Sequence, residues 1–104
     1  MLLSTTNTIY GKKITSQLGL VRGNTIRSRH IGRDIMASFR NVVGGEVTEY
    51  TKLMAEAREQ ALDRMIEDAR KLGANAIVGI KFSTTEVMCR AAEVLIYGTA
   101  VIVE

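Results

Sequence analysis

A single helical pattern over residues 48–72 constrains the fold of this chain more than any other feature. Its apolar residues recur every three or four positions and cover an arc of roughly 220° at about 100° per residue, which is wider than the stripe of an ordinary surface helix. Thr48 can cap the first turn, and Gly73 follows Arg70 and Lys71 at the other end. The wide arc predicts that this helix packs against more than one neighbour, which can include another subunit.

A second helix is predicted immediately before it, over residues 29–43. Its apolar residues form one stripe at spacings of four, four and three: Ile31, Ile35, Phe39 and Val42. Gly44 and Gly45 are predicted to end this helix, because adjacent glycines let the backbone turn sharply before the long helix begins.

Four strands are predicted outside the helical region. A short strand at residues 1–6 precedes a turn at 7–11, and residues 14–28 form a strand with a bulge at Gly19 and a turn or bend at Gly23–Asn24. Residues 76–83 alternate with a period of two, and residues 83–91 are expected to form a loop. The last strand, residues 93–103, is apolar on both faces, as in strands that are buried on both sides. The alternation places four residues on one face of the third strand: Ala76, Val78, Ile80 and Phe82.

These elements predict an α+β fold with a single domain over residues 1–104. The domain contains a small, mainly antiparallel four-stranded sheet and two consecutive helices. Two helices can cover one face of such a sheet, and the chain has nothing left for the other face. We therefore expect a homo-oligomer.

The composition argues for a reducing compartment. Cys89 is the only cysteine, which excludes an internal disulfide and every zinc motif that needs several cysteines. The N-terminus has neither the basic region nor the apolar run of a signal peptide, and residues 94–103 are about half as long as a membrane span. We expect a cytoplasmic protein with no membrane partner.

Motifs for catalysis are absent from the sequence. It contains no Walker A loop, no dinucleotide-binding glycine fingerprint, no HExxH and no GxSxG. His30 is the only histidine. The chain therefore cannot form a His–His metal pair, nor a Ser–His or Cys–His dyad with an alternative base. We therefore predict no enzymatic activity, no catalytic residue and no organic cofactor.

One cluster of soft ligands remains, at Glu86, Met88 and Cys89. Thiolate and thioether ligands suit a soft metal such as Cu(I), but a single cysteine closes a tetrahedral site only if several subunits contribute. A packing methionine and an inert cysteine explain the same residues. A metal ion is the one cofactor that we consider.

Positive charge is concentrated in the first half of the chain. Residues 1–45 carry seven Lys or Arg against Asp34 alone, whereas residues 46–104 carry seven against ten acidic residues. The basic half can bind a polyanion or pair with the acidic surface of a neighbouring subunit. Nucleic-acid surfaces usually add aromatic residues, and only Tyr10 is near in sequence. Arg29, Arg33 and Asp34 are the candidate ligand-binding residues, although Arg33 and Asp34 also fit a structural ion pair.

Several segments together resemble the YbjQ-like family, which is labelled a heavy-metal-binding domain: STTNTIYGKKI, RGNTIRSRHIGRDIMASFRNVVGGE, GANAIVGI and YGTAVIV. The resemblance covers essentially the whole chain. It implies a dodecin-like subunit that assembles into a ring-shaped homopentamer, in a family without an established enzymatic activity. Many relatives carry acidic residues where this chain has Lys81 and Ser83, so carboxylate ligands are missing at those positions.

Two functions from different classes follow from these observations. The first is a non-enzymatic homo-oligomer that binds a metal or small ligand or serves as a scaffold. The alternative is a basic ring that binds nucleic acid, and a steep salt dependence of binding would distinguish it from the first.

Overall fold

The computed structural model describes the backbone of residues 1–28, 45–87 and 91–104, and the side chains of residues 1–26, 51–85 and 92–104. This part of the chain contains four strands and one helix. In order they are β1 (Leu2–Leu3), β2 (Ile14–Ser28), α1 (Gly45–Lys71), β3 (Ala76–Val87) and β4 (Ala91–Val103). The helix predicted at residues 29–43 lies outside the described residues.

The four strands form one sheet in the order β1-β3-β4-β2. β1 runs parallel to β3, whereas β2 and β3 both run antiparallel to β4. The prediction of an α+β fold with a mainly antiparallel four-stranded sheet is therefore confirmed. β4 lies inside the sheet with a neighbour on each side, which agrees with its continuous apolar sequence.

α1 covers one face of the sheet and packs mainly on β2 and β4. Its buried residues form one stripe: Met54, Ala57, Ala61, Met65 and Ala69. They contact Val21, Val94 and Ile96 on the strands below. The buried Thr25 hydroxyl donates a 2.8 Å hydrogen bond to the Ala57 carbonyl, so this polar group is satisfied inside the apolar layer.

Gly23 is a point of close approach between α1 and β2. A Cβ atom at this position would overlap the Ala61 carbonyl oxygen and lie 2.7 Å from the Met65 backbone nitrogen. The predicted turn or bend at Gly23–Asn24 is wrong, because β2 continues through both residues, paired with β4. Glycine is needed at this position so that the helix backbone can pack against the strand.

The ends of α1 agree only partly with the prediction. α1 begins at Gly45, so Thr48 lies inside the helix, and the turn predicted at Gly44–Gly45 is wrong for Gly45. Threonine is favoured at the N-cap of a helix, but it is also tolerated inside a helix. The predicted end is confirmed: α1 ends at Lys71, and Gly73 follows with a φ of +84° and donates a 2.9 Å hydrogen bond to the Arg70 carbonyl.

The strand pairing shifts register between Ile14 and Ser16 at the start of β2, and it contains two further bulges. The bulge predicted at Gly19 is confirmed by a register shift between Gln17 and Gly19 and by a φ of +126° at Gly19. β3 has a second bulge, where the register shifts between Val78 and Lys81 and Gly79 has a φ of +62°. The extra residue brings Ile80 into the same cluster as Ile77, under α1.

The predicted faces and length of β3 are therefore wrong. Simple alternation does not pass through the bulge, so Ala76 and Val78 belong to a different cluster from Ile80. β3 also continues to Val87, through part of the region where a loop was expected, because β4 pairs with it along that length.

The segment between β1 and β2 covers one end of the sheet face opposite α1. Ile9 and Ile14 pack against a second apolar cluster, which consists of Ala76, Val78, Val101 and Val103. Lys13 and Glu104 exchange two backbone hydrogen bonds of 2.9 Å that hold this segment to the end of β4. The expectation that the chain has nothing left for this face is wrong at this end.

We predict that Gly23→Ala destabilises the protein by about 1–3 kcal/mol, the usual cost of forcing extra volume into a packed core. The added methyl group must push α1 away from β2, because it would meet helix backbone rather than a movable side chain. Chemical denaturation of the variant measures the loss. Glu59→Ala, on the exposed side of α1, is the control and should change the free energy of unfolding by less than about 0.5 kcal/mol.

Candidate functional site

The sheet face opposite α1, which we call the open face, carries polar side chains in its middle. Val21, Gly23 and Thr25 of β2 are buried under the helix, so the residues between them point to the open face. The register with β4 places Arg22 opposite Tyr97, and the register with β3 places Lys81 opposite the same tyrosine. Towards Ser28, the next two rows of the open face are Asn24–Leu95–Ser83 and Ile26–Glu93–Thr85, and the row on the other side is Leu20–Thr99–Val78.

The row Arg22–Tyr97–Lys81 combines one aromatic ring with two cations. Residues directly opposite each other in antiparallel strands have Cβ atoms about 4.5–5.5 Å apart, which is within reach of these long side chains. Arg22 and Lys81 are exposed and Tyr97 is half-buried. The ring is therefore held by the sheet, while both charges remain accessible to a ligand.

The segment that covers the end of the open face adds a second group of this kind. Ile9 is packed against the sheet, whereas the next residue, Tyr10, is fully exposed with a relative accessibility of 104%. Lys12 and Lys13 follow and are also exposed. The backbone pairing of Lys13 with Glu104 holds these residues beside the end of β4.

A shallow polar groove lies along the outer edge of β2. Its volume is about 360 Å³, and it is lined by Arg22, Asn24, Arg64, Glu67, Asp68 and Lys71. The Arg64 guanidinium donates a hydrogen bond to the Asn24 carbonyl, and the Arg22 backbone N–H donates one of 3.4 Å to Asp68 Oδ2. These two side chains of α1 form hydrogen bonds with backbone groups of β2. Another chain would otherwise be able to pair with the same groups.

The opposite edge of the sheet is less protected. Gly79 and Ile80 donate backbone hydrogen bonds to the carbonyls of Thr6 and Ser4, at 2.9 and 3.1 Å. Beyond Ile80, no described strand lies along this side of β3, and we call the stretch at residues 81–87 the β3 edge. Phe82 on this stretch is 53% exposed, although its partner Ile96 is buried under α1.

The described side chains do not form a metal site. They contain no group of three His, Cys, Asp or Glu side chains close enough to hold an ion. His30, Met88 and Cys89 lie outside the described residues, and the side chain of Glu86 does as well. The candidate ligand-binding residues Arg29, Arg33 and Asp34 also lie outside them.

Sequence reasoning found part of this surface and missed its aromatic residue. Lys12, Lys13 and Arg22 are three of the seven Lys and Arg residues in the basic first half of the chain, residues 1–45. Tyr97 was missed, because it is 75 positions away from Arg22 in the chain and only the strand register brings the two together. The β4 alternation, with Leu95, Tyr97 and Thr99 on one face, was the one available signal.

In the described part of α1 there is no stretch long and apolar enough to cross a membrane.

The whole chain, residues 1–104, matches a family model described as "Putative heavy-metal-binding" and named YbjQ. A UPF0145 protein of Dehalococcoides mccartyi is 58% identical over 104 residues and covers all of both chains. A UPF0145 protein of Methanosarcina acetivorans is 57% identical over 101 residues, which is 97% of this chain and 95% of the relative.

A solved structure has a similar fold. It is a protein of unknown function from Pediococcus pentosaceus, assigned to the DUF74 family, with a TM-score of 0.68 and 18% sequence identity. The match covers 100% of this chain and 98% of the other. At this identity the likeness supports the α+β fold and says nothing about a ligand.

We predict that Arg64→Ala weakens the protein modestly and exposes the edge of β2. The Asn24 carbonyl loses a charge-assisted hydrogen bond, which is worth about 1.5 kcal/mol or less at an exposed site. Light scattering should show greater concentration-dependent association, because the edge can then pair with another chain. Arg58→Ala, which removes the same charge from another exposed position of α1, should not increase association.

Proposed function

Since this chain belongs to the YbjQ-like family, we propose that it is a non-enzymatic subunit of a homo-oligomeric ring with a binding or scaffold role. The observation that carries the proposal is the β3 edge, where a row of backbone groups and an exposed aromatic ring lie side by side. The number of subunits, five, follows from the family resemblance.

The backbone of the β3 edge favours pairing with another chain. The Ile80 N–H already points away from β4, towards Ser4. Because residues alternate along a strand, the N–H and C=O groups of Phe82, Thr84 and Glu86 point the same way. An edge of this kind is a template for a further strand. If another chain buries this edge, each backbone N–H or C=O group that stays unpaired costs free energy, so pairing is favoured.

The side chains beside this edge favour association as well. α1 packs on β2 and β4 and hardly on β3, so it leaves Phe82 uncovered. Leu62 and Ile66 lie roughly 160° around the helix from Arg64 and Asp68, at 100° per residue, and therefore on the flank towards β3. Both are partly buried and pack on the core. Together with Phe82 they form an apolar strip that a second subunit can cover.

The elongated shape of the subunit supports the same proposal. The radius of gyration is 17.0 Å, whereas a compact domain of this length has about 13 Å. β2 and β4 contain 15 and 13 residues, so at about 3.4 Å per residue each is longer than a compact domain of this size is wide. Long strands that pack on one helix, as in the described part of the chain, are stabilised when a neighbouring copy packs beside them at the β3 edge.

The non-enzymatic part of the proposal rests on the chemistry of the open face. Its described side chains offer cations, hydroxyls and an amide, and Glu93 is the one carboxylate among them. A pair of carboxylates that could act as general acid and general base is therefore absent among the described side chains of this face. No metal role is assigned, because the described residues do not fit a metal centre.

We predict that the purified protein sediments with about five times the 11.4 kDa mass of the chain. Phe82→Lys should weaken assembly at least about tenfold, because it places a charge in the apolar strip, a loss on the order of 1.4 kcal/mol. Thr84→Pro should also weaken it, since proline removes an N–H that points away from β4 and leaves the ladder with β4 in place.

The control is Leu72→Lys, which changes an apolar residue of similar exposure, 47%, at the far end of α1. Sedimentation at several protein concentrations distinguishes the variants. A parent protein that stays monomeric and folded at micromolar concentration would falsify the proposal. So would a Phe82→Lys protein that assembles like the parent.

A further inference from the structure

We propose that the open face binds single-stranded nucleic acid, with Tyr97 as a stacking platform for a base and Arg22 and Lys81 as contacts for the flanking phosphates. This inference goes beyond the oligomeric role, and it does not depend on the number of subunits, because all three side chains belong to one chain. The residues are brought together only by the register of β2 and β3 on β4.

The chemistry of the row fits a nucleotide unit. A base has an apolar face that stacks on an aromatic ring, and a phosphate beside it that attracts a cation. Tyr97 is half-buried, so its orientation is restrained, while Arg22 and Lys81 are exposed on either side of it. A guanidinium also binds phosphate oxygens through two parallel hydrogen bonds.

The surroundings of the row extend the same chemistry along the strand. The neighbouring row offers Asn24 and Ser83, whose amide and hydroxyl groups can bond to base edges or phosphate oxygens without adding negative charge. Glu93 is the described carboxylate on the face, and it lies four residues along β4 from Tyr97, about 14 Å away. The row itself contains no acidic side chain, and the carboxylates near Arg22 are Glu67 and Asp68 of α1, which line the groove at the outer edge of β2.

A second aromatic residue lies towards the other end of this face. The segment with Tyr10, Lys12 and Lys13 is held there by Ile9 and Ile14, which pack on the cluster that contains Val101 and Val103. From Leu95 to Val103, β4 extends over about 27 Å at 3.4 Å per residue. Glu104, at the end of β4, is the one carboxylate beside these lysines. Tyr10 and Lys12 thus add an aromatic residue and a cation towards this end of the face, along a path long enough for several nucleotides. Lys13 alternates with Ile14 and therefore points to the other side of the sheet.

These features favour a single strand over a duplex. The bases of a duplex are stacked on each other, so a ring on a flat sheet cannot reach their faces, and binding would then depend on phosphates alone. A basic surface without aromatic residues would fit either form. The central position of Tyr97 between two cations is the feature that selects unpaired bases.

The test is fluorescence anisotropy of the intact protein with labelled 20-nucleotide single strands of deoxythymidine and uridine, across a range of salt concentrations. The observed affinity should fall with salt, with a slope of about −0.7 on logarithmic axes for each phosphate neutralised. Lys81→Gln and Arg22→Gln should each make the slope shallower by about 0.7 and weaken binding about threefold to tenfold. Lys52→Gln, an exposed lysine on α1, is the control and should leave the slope unchanged.

Tyr97→Leu separates a stacking role from a structural one. It should weaken single-strand binding about tenfold with an unchanged salt slope, whereas Tyr97→Phe, which keeps the ring, should bind like the parent. If Tyr97→Leu lowers only the melting temperature and binds like the parent, Tyr97 is a cross-strand packing residue and the proposal is wrong.

Three other outcomes would also overturn the proposal. They are no binding at 50 mM salt, equal binding of a duplex of the same length, and an equal effect of Lys52→Gln and Lys81→Gln. Binding of adenosine monophosphate as tight as that of the 20-mers would assign the site to a free nucleotide instead. The oligomeric state of each variant is measured in parallel. A monomeric protein that binds the single strand would contradict the ring proposal and leave this inference intact.

Discussion

The contact between the α1 backbone and the β2 backbone at Gly23 is the constraint on which the rest of the structure depends. The helix can lie close to the strand only because no Cβ intervenes. At that spacing, small residues such as Ala57 and Ala61 fill the layer, and Arg64 and Asp68 reach the outer edge of β2. A larger separation would remove all of these contacts together, because interiors are packed too densely to adjust one contact at a time.

The position of α1 also makes the two edges of the sheet unequal. Over β2, two helix side chains occupy backbone groups of the edge strand. Over β3, the helix makes few contacts, and Phe82 is left exposed beside the unpaired backbone of the β3 edge. A sheet that is closed on one side and open on the other is directional, and directional contacts between identical subunits generate rings when the rotation closes.

The open face shows how two unrelated segments build one surface. Ile9 and Ile14 cover one end of the face, and the segment that contains them carries the exposed residues Tyr10 and Lys12. Nothing in these described residues resembles a metal centre, although the family model carries a heavy-metal label. Stacking and phosphate contacts are the chemistry that the described side chains of this face supply.

The sequence by itself determined the elements that depend on local physics. The periodicity of residues 48–72 predicted α1, Gly73 its end, Gly19 a bulge, and the apolar run at 93–103 a strand; each is confirmed to within a few residues. The predicted burial of that strand on both faces is confirmed only in part, because Leu95, Tyr97 and Thr99 on the open face are half-buried. These features follow from the backbone preferences of glycine and from the period of apolar residues. Both are local properties, so the neighbouring sequence is enough to predict them.

Only the tertiary structure decided how these elements meet. The role of Gly23 depends on a helix about 40 positions further along the chain, so the sequence suggested a turn instead. The bulge at Gly79 reversed the expected faces of β3, because one extra residue moves every following side chain to the other side. The pairing of Arg22 and Lys81 with Tyr97 depends on strand register, which long-range packing sets and which no local pattern records.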